Sequence, residues 1–258
     1  MIPIVRKRKK MSYVTFIDDT TYKSIVNSIL LDGKNAKLNA IKKFNRNVID
    51  PFSIVWELAS FKMDFSTWYQ TELARQAQKT LSNTVGMFHQ TLLGSVDGWE
   101  DLGVGKGVDL VNYEKKIIAE VKNKHNTLKG SSQVDLYDEL QSLVMRNGHS
   151  YKDYTSYYVE VIPKTASRFN IPFTPSDKKT SSKRSPNELI RRIDGASFYA
   201  LVTGVEDALE QVFRTLPLVI KDISEELDAD SLTKVQGFFK EAYFPKVKAV
   251  KNSNLNKV

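Results

Sequence analysis

The sequence predicts an α/β fold with a helical N-terminal region, on three observations. Two apolar runs, Gly107–Val111 and Lys116–Lys122, flank a polar connection at Asn112–Lys115 and read as a β-hairpin. Gln133–Arg146 then spaces Val134, Tyr137, Leu140 and Val144 as a helix, and Tyr154–Pro163 returns to strand-like residues. Around this strand, strand, helix, strand order, residues before 95 and after 204 carry apolar positions at three- and four-residue intervals.

Taken along the chain, Thr20–Phe44 reads as one or two helices, capped by Thr20 or Thr21 and divided at Gly33. Asp50 and Pro51 suit the N-cap and first turn of a second helix, whose Phe52, Val55, Trp56 and Leu58 are expected in a core. From Ser66 to about Leu93 a longer helix repeats Leu73, Ala77, Leu81, Val85, Phe88 and Leu92 on one face. His89 on that helix is expected to be a hydrogen-bonded core or interface histidine. Gly94 to Gly107 is punctuated by glycines that allow close backbone approach to a phosphate, and Glu100 or Asp101 could join the metal site, with solvent exposure the plainer expectation. Pro163 to Pro186 lacks periodicity and reads as a long loop. Asn187–Arg192 is expected as a short basic helix, Ser197–Val202 as an apolar stretch ended by Gly204, and Val205–Leu216 and Ser231–Tyr243 as amphipathic helices.

The hairpin concentrates the chemistry. Alternation in its second strand puts Ile118, Glu120 and Lys122 on one face and Ile117, Ala119 and Val121 on the other. Asp109, in the first strand, falls beside Glu120 across the ladder. Two carboxylates suffice to hold a Mg²⁺ ion that keeps several waters, and Lys122 beside them suits an anionic transition state. Glu120 follows Ile117, Ile118 and Ala119, where an acid is costly unless paired, yet Glu-x-Lys alone is a common pattern. An edge hairpin with solvated charges is the plain alternative.

The arrangement resembles the PD-(D/E)XK nuclease superfamily. Within it, the strings FHQTLLG from Phe88, GWEDLG from Gly98, DLVN from Asp109 and AEVKNKHNT from Ala119 resemble a restriction-endonuclease family that cuts GGNCC-type DNA sites. NVIDPFS from Asn47, RQAQKT from Arg75, PFTPS from Pro172 and RIDGASFYALVTG from Arg192 extend the resemblance over nearly the whole chain from Met11. Val108 stands where the superfamily's name has proline. The resemblance implies a central mixed sheet flanked by helices, Asp109, Glu120 and Lys122 as catalytic residues, and Mg²⁺ held by Asp109 and Glu120. Helices before the hairpin in such nucleases can lend another acid, and Glu72 is the candidate. It also implies in-line hydrolysis of double-stranded DNA leaving 5′-phosphate ends, a cognate DNA methyltransferase, and a cytoplasmic protein of a bacterium or archaeon. A two-fold DNA site is read most economically by a homodimer.

Composition bounds the rest. With 258 residues, 41% of them hydrophobic, the chain can bury a substantial core, and residues 11–258 are expected to form one endonuclease domain: a helical region at 11–95, a catalytic core at 96–204 and C-terminal helices at 205–258. The absence of cysteine excludes disulfides, zinc-thiolate sites and a cysteine nucleophile, and no apolar run is long enough to span a membrane. The net charge of +8 is concentrated in residues 1–10, expected to be a disordered basic tail, and in the segment Lys164 to Arg192. DNA contacts are expected from Lys124, His125 and Asn126 beyond the hairpin, from Arg75 and Gln78 on the long helix, and from Arg191 and Arg192. Two other readings stay open here: a structure-specific repair or recombination nuclease with the same triplet, and a noncatalytic DNA-binding protein.

Overall fold

The computed structural model describes residues 12–46, 48–103, 105–224 and 227–245; the expected basic tail at 1–10 lies outside them. The first helix, α1 (Asp19–Lys42), is capped by Asp18, whose carboxylate accepts from the backbone N–H groups of Thr20 and Thr21. The cap thus falls two or three residues ahead of the expected position. The helix runs unbroken through Gly33, where a Cβ would stand 3.3 Å from Leu81 of α3 (Phe65–Gly94), so this glycine serves packing between helices and not a break. Between them α2 (Pro51–Phe61) starts as expected, with the Asp50 side chain accepting from Phe52 N. No residue of α2 is buried, however. Phe52, Val55 and Trp56, expected in a core, face outward, and apolar spacing alone does not say whether a neighbour covers the face.

The sheet has six strands in the order β1-β2-β3-β4-β8-β5. β1 (Glu100–Asp101), β2 (Leu110–Asn112) and β3 (Ile117–Lys124) are antiparallel neighbours, β4 (Thr155–Ile162) and β8 (Ile190–Asp194) continue parallel to β3, and β5 (Asn170–Pro172) closes the edge antiparallel to β8. β6 (Ser176–Asp177) and β7 (Ser182–Lys183) form a separate small hairpin. The stretch from Pro163 to Pro186 is therefore partly organised: one strand of it pairs with the main sheet and two pair with each other.

The expected basic helix at Asn187–Arg192 is instead a turn at Glu188–Leu189 followed by the first residues of β8. Ile190 and Ile193 are both buried, but in different clusters on opposite faces of the sheet, as a strand requires of residues an odd number apart. Tertiary pairing with β4 overrides a local pattern that fits either structure. The following α5 (Gly195–Thr203) begins where the Asp194 side chain accepts from Ser197 N. A Cβ on Gly195 would lie 2.3 Å from Val161 O, so only glycine lets the chain turn here against β4.

Helices cover both faces of the sheet. Ala119, Val121, Tyr157, Val159 and Ile193 pack with residues of α1, α3, α5 and α6 (Ala208–Ile223), and on the other face Ile118, Tyr158 and Ile190 pack with Tyr137, Leu140 and Val144 of α4 (Gly130–Met145). α7 (Ala229–Tyr243) completes the described chain, with Tyr243 donating to Val161 O at 3.0 Å. The mixed α/β sheet flanked by helices that the sequence implied is the fold observed. No helix among the described residues is long and apolar enough to cross a membrane.

Candidate active site

β2 and β3 bring the hairpin's acids and lysine together. Leu110 pairs with Ala119, which sets Asp109 at the level of Glu120, and Asp109 Oδ2 accepts a hydrogen bond from Val121 N at 2.7 Å. Glu120 and Lys122 share a face two residues apart, and the Lys122 ammonium donates to Glu120 Oε1 in an ion pair. Both side chains are largely covered, at 16% and 24% exposed.

Burial pushes the Asp109 carboxyl above the usual carboxylate range, and the Asp101 charge adds to this. The Val121 N–H and the Lys122 charge oppose it. Glu120 is likewise raised by burial and then by Asp109, with Lys122 pulling the other way. The two acids thus titrate as a pair whose second ionisation is disfavoured, and a cation placed between them relieves that cost.

No cluster of three or more His, Asp and Glu side chains that could hold an ion is gathered among the described residues. The available protein ligands are the two carboxylates of Asp109 and Glu120, a set that suits hard Mg²⁺ with its remaining positions left to water and phosphate oxygen. Glu72 does not join them. It is held on α3 by Arg75, at 2.6 Å to each carboxylate oxygen, and by Gln76. It also lies far up the helix from Gln90, roughly 27 Å at the α-helical rise.

Three further residues shape the site. Asp101, for which solvent was the plainer expectation, is half-buried in β1 and accepts from Gln90 Nε2 at 2.7 Å, Thr91 Oγ1 at 3.1 Å and Gly103 N at 2.9 Å. Gly94 makes this approach possible, since a Cβ there would lie 2.6 Å from Asp101 Cβ. The close approach is to protein backbone and not to a phosphate. Glu139, exposed on α4, adds negative charge near Glu120. An acid in a glycine-rich loop carries no periodicity, so only the pairing of β1 with β2 reveals its place.

The expected DNA contacts separate into two groups. Lys124 lines, with Asp109 and Lys122, a groove between the hairpin and the Ser82–Gln90 part of α3. His125 follows, half-buried, its backbone N–H donating to Ile162 O at 3.0 Å and its Nδ1 buried without a hydrogen-bonding partner among the described residues. Asn126 is exposed beside it. The other four lie apart. Arg75 is engaged by Glu72, and Gln78 lines a groove between α1 and α3. Arg191 is bound by Asn170 and Glu188, and Arg192 makes a two-pronged pair with Glu160 at 2.9 and 2.7 Å while stacking over Phe169. These arginines sit on β8, one strand in from the edge, and are engaged by acids and an amide of the protein itself. His89 is hydrogen-bonded as expected, its Nδ1 2.7 Å from Tyr199 Oη.

Comparison with known proteins decides the family. Residues 14–225 match the family model described as Eco47II restriction endonuclease. The chain belongs to the Eco47II restriction endonuclease family. It is 46% identical to the type II restriction enzyme Eco47II of Escherichia coli over 216 residues, covering 84% of this chain and 90% of that enzyme. It is also 32% identical to the type II restriction enzyme Sau96I of Staphylococcus aureus over 237 residues, covering 90% of this chain and 88% of the relative. No solved structure matches. Membership makes the protein a type II site-specific deoxyribonuclease acting on double-stranded DNA, and enzymes of this type generally need a divalent metal.

Proposed function

We propose that the protein hydrolyses DNA phosphodiesters at a palindromic GGNCC-type site in a Mg²⁺-dependent reaction, leaving 5′-phosphate and 3′-hydroxyl ends. The observation that carries this reading is the meeting of Asp109, Glu120 and Lys122 on one hairpin, with both acids held above their ordinary pKa. Asp109 and Glu120 hold the metal. When bound there, Mg²⁺ supplies charge neutralisation and a more acidic water.

The remaining work falls to the chain. Lys122, fixed by Glu120, keeps a positive charge beside the scissile phosphate and orients the attacking water, stabilising charge as it grows on phosphorus. Asp101, tied to Gln90 and Thr91, fixes β1 against α3 and so the level at which Asp109 is presented. Lys124, His125 and Asn126 follow the catalytic strand directly and contact phosphates and base edges in the groove. A two-fold site calls for two equivalent subunits, so the acting form is a homodimer, and a cognate methyltransferase protects the cytoplasmic host DNA.

Digestion of a plasmid of known sequence, with and without Mg²⁺, tests the reading when the ends are mapped. Discrete fragments whose 5′-phosphorylated ends all fall at GGNCC-type sites, formed only with metal, are expected. Ends unrelated to sequence would favour a structure-specific nuclease, and an intact plasmid across divalent metals would overturn the proposal.

A further inference from the structure

α1 and α3 run antiparallel and form an arm. Ile25 and Val26 pack with Phe88 and Leu92 at the sheet end, while Ala36 and Ala40 share a groove with Gln76 and Thr80 further out. At the rise of an α-helix, the 24 residues of α1 and 30 of α3 are roughly 36 and 45 Å long. α2 sits at the outer part of this arm, joined to it by a hydrogen bond from Trp68 Nε1 to Glu57 Oε2 at 3.0 Å.

This helix is anomalous for a surface element. Its single charged side chain is Glu57, and its outer side is apolar: Phe52 is 77% exposed, Val55 65% and Trp56 71%, while Phe61, 66% exposed at the helix end, lies on the side of Glu57 that faces α3. Phe52, Val55, Trp56 and Ala59 recur at the spacing of one helical face. An 11-residue helix with no buried residue has little to hold it in water, because helices this short are marginal without tertiary packing. The face offers no cation to a phosphate backbone, so DNA does not cover it.

From this geometry we infer that the α2 face is the surface through which two copies of the chain dimerise, α2 meeting its own copy about a two-fold axis. The inference rests on the homodimeric reading above. Aromatic side chains bury about 150–250 Å² each, so Phe52 and Trp56 at their observed exposures offer roughly 220–370 Å² per subunit, to which Val55 and Ala59 add. That supplies the apolar, aromatic centre of an interface whose standard size is ~800 Å² per partner. A self-complementary apolar helix satisfies the isologous contact that two-fold symmetry demands. The location also leaves the groove at Asp109 and Lys122 open, since α2 packs on the outer half of α3 and the groove is lined by Ser82–Gln90.

The test is the mass in solution of the full chain and of the double variant Phe52→Glu/Trp56→Glu. The wild type is expected at twice its 29.4 kDa chain mass by sedimentation at micromolar concentration, and the variant at the chain mass with an unchanged circular dichroism spectrum. Because the chain has no cysteine, Ala59→Cys gives a clean second readout. Oxidation should link two copies through this residue, and should not do so for Leu218→Cys, an exposed position on α6. A monomeric wild type, or a dimer that survives the double substitution and yields no cross-link at Ala59→Cys, would overturn the inference. Since mass is read without cleavage, a wild-type dimer that cuts no DNA would count against the nuclease reading and leave this interface standing.

Discussion

The backbone N–H of Val121 donates to Asp109 Oδ2 at 2.7 Å, so the carboxylate of one strand is fixed by the strand that carries Glu120 and Lys122. The relationship separates charge from geometry. Asp109→Asn keeps an acceptor for Val121 and removes the negative charge beside Glu120. A carboxyl whose folded pKa is raised destabilises the fold above that pKa, so in metal-free solution at pH 7.5 the variant should melt at or above the wild-type temperature. Cleavage should nevertheless fall by about 10²–10³-fold. A Tm lower by about 5 °C or more would mean that the charge supports the fold.

Two glycines of α3 should respond in opposite directions. Gly94→Ala drives a Cβ to 2.6 Å from Asp101 Cβ and 2.7 Å from its backbone N, so β1 must shift. Denaturant unfolding should show a loss of about 1–3 kcal/mol, together with reduced cleavage. Gly86 meets nothing within 4 Å, and Gly86→Ala should stabilise the helix by about 0.5–1 kcal/mol. Equal effects at both positions would contradict the packing described.

The hairpin was legible in the sequence because alternation, a polar turn and two acids agree on one register. The strand β8 was not. Its Ile190 and Ile193 fit a helical face, and only their burial on opposite sides of the sheet distinguishes the two. Arg191 and Arg192 read as free cations for the same reason: their partners Asn170 and Glu160 are distant in sequence. α2 shows the converse limit, since apolar spacing predicts a face but not what covers it.

Arg192 should therefore matter to the fold before it matters to DNA. Glu160 is 1% exposed, and Arg192→Ala leaves its charge buried without the guanidinium; such losses cost about 3–5 kcal/mol. Adding Glu160→Gln should recover much of that loss in urea unfolding. If Arg192→Ala retains wild-type stability and weakens only DNA binding, the pairing has been misjudged.

Acid sensitivity should trace to His89. Burial keeps its ring neutral and lowers its pKa from 6.5 to about 4. Between those values the folded chain binds fewer protons than the unfolded one. Stability is thus complete above pH 6.5 and is lost as pH falls towards 4, by up to about 3 kcal/mol over the whole window. Urea unfolding at pH 7.5 and pH 5 should show a smaller acid-side loss for His89→Gln, which can still bond Tyr199, than for the wild type. Identical pH slopes would assign the sensitivity to other groups.

The most direct measurement is single-turnover cleavage of a duplex containing one mapped site by the wild type, Glu120→Gln and Lys122→Ala, with duplex binding recorded for each. Both variants should bind the duplex within a few-fold of the wild type and cut it on the order of 10³-fold or more slowly. Undiminished cleavage by either variant would show that the Asp109–Glu120–Lys122 hairpin is not the catalytic centre.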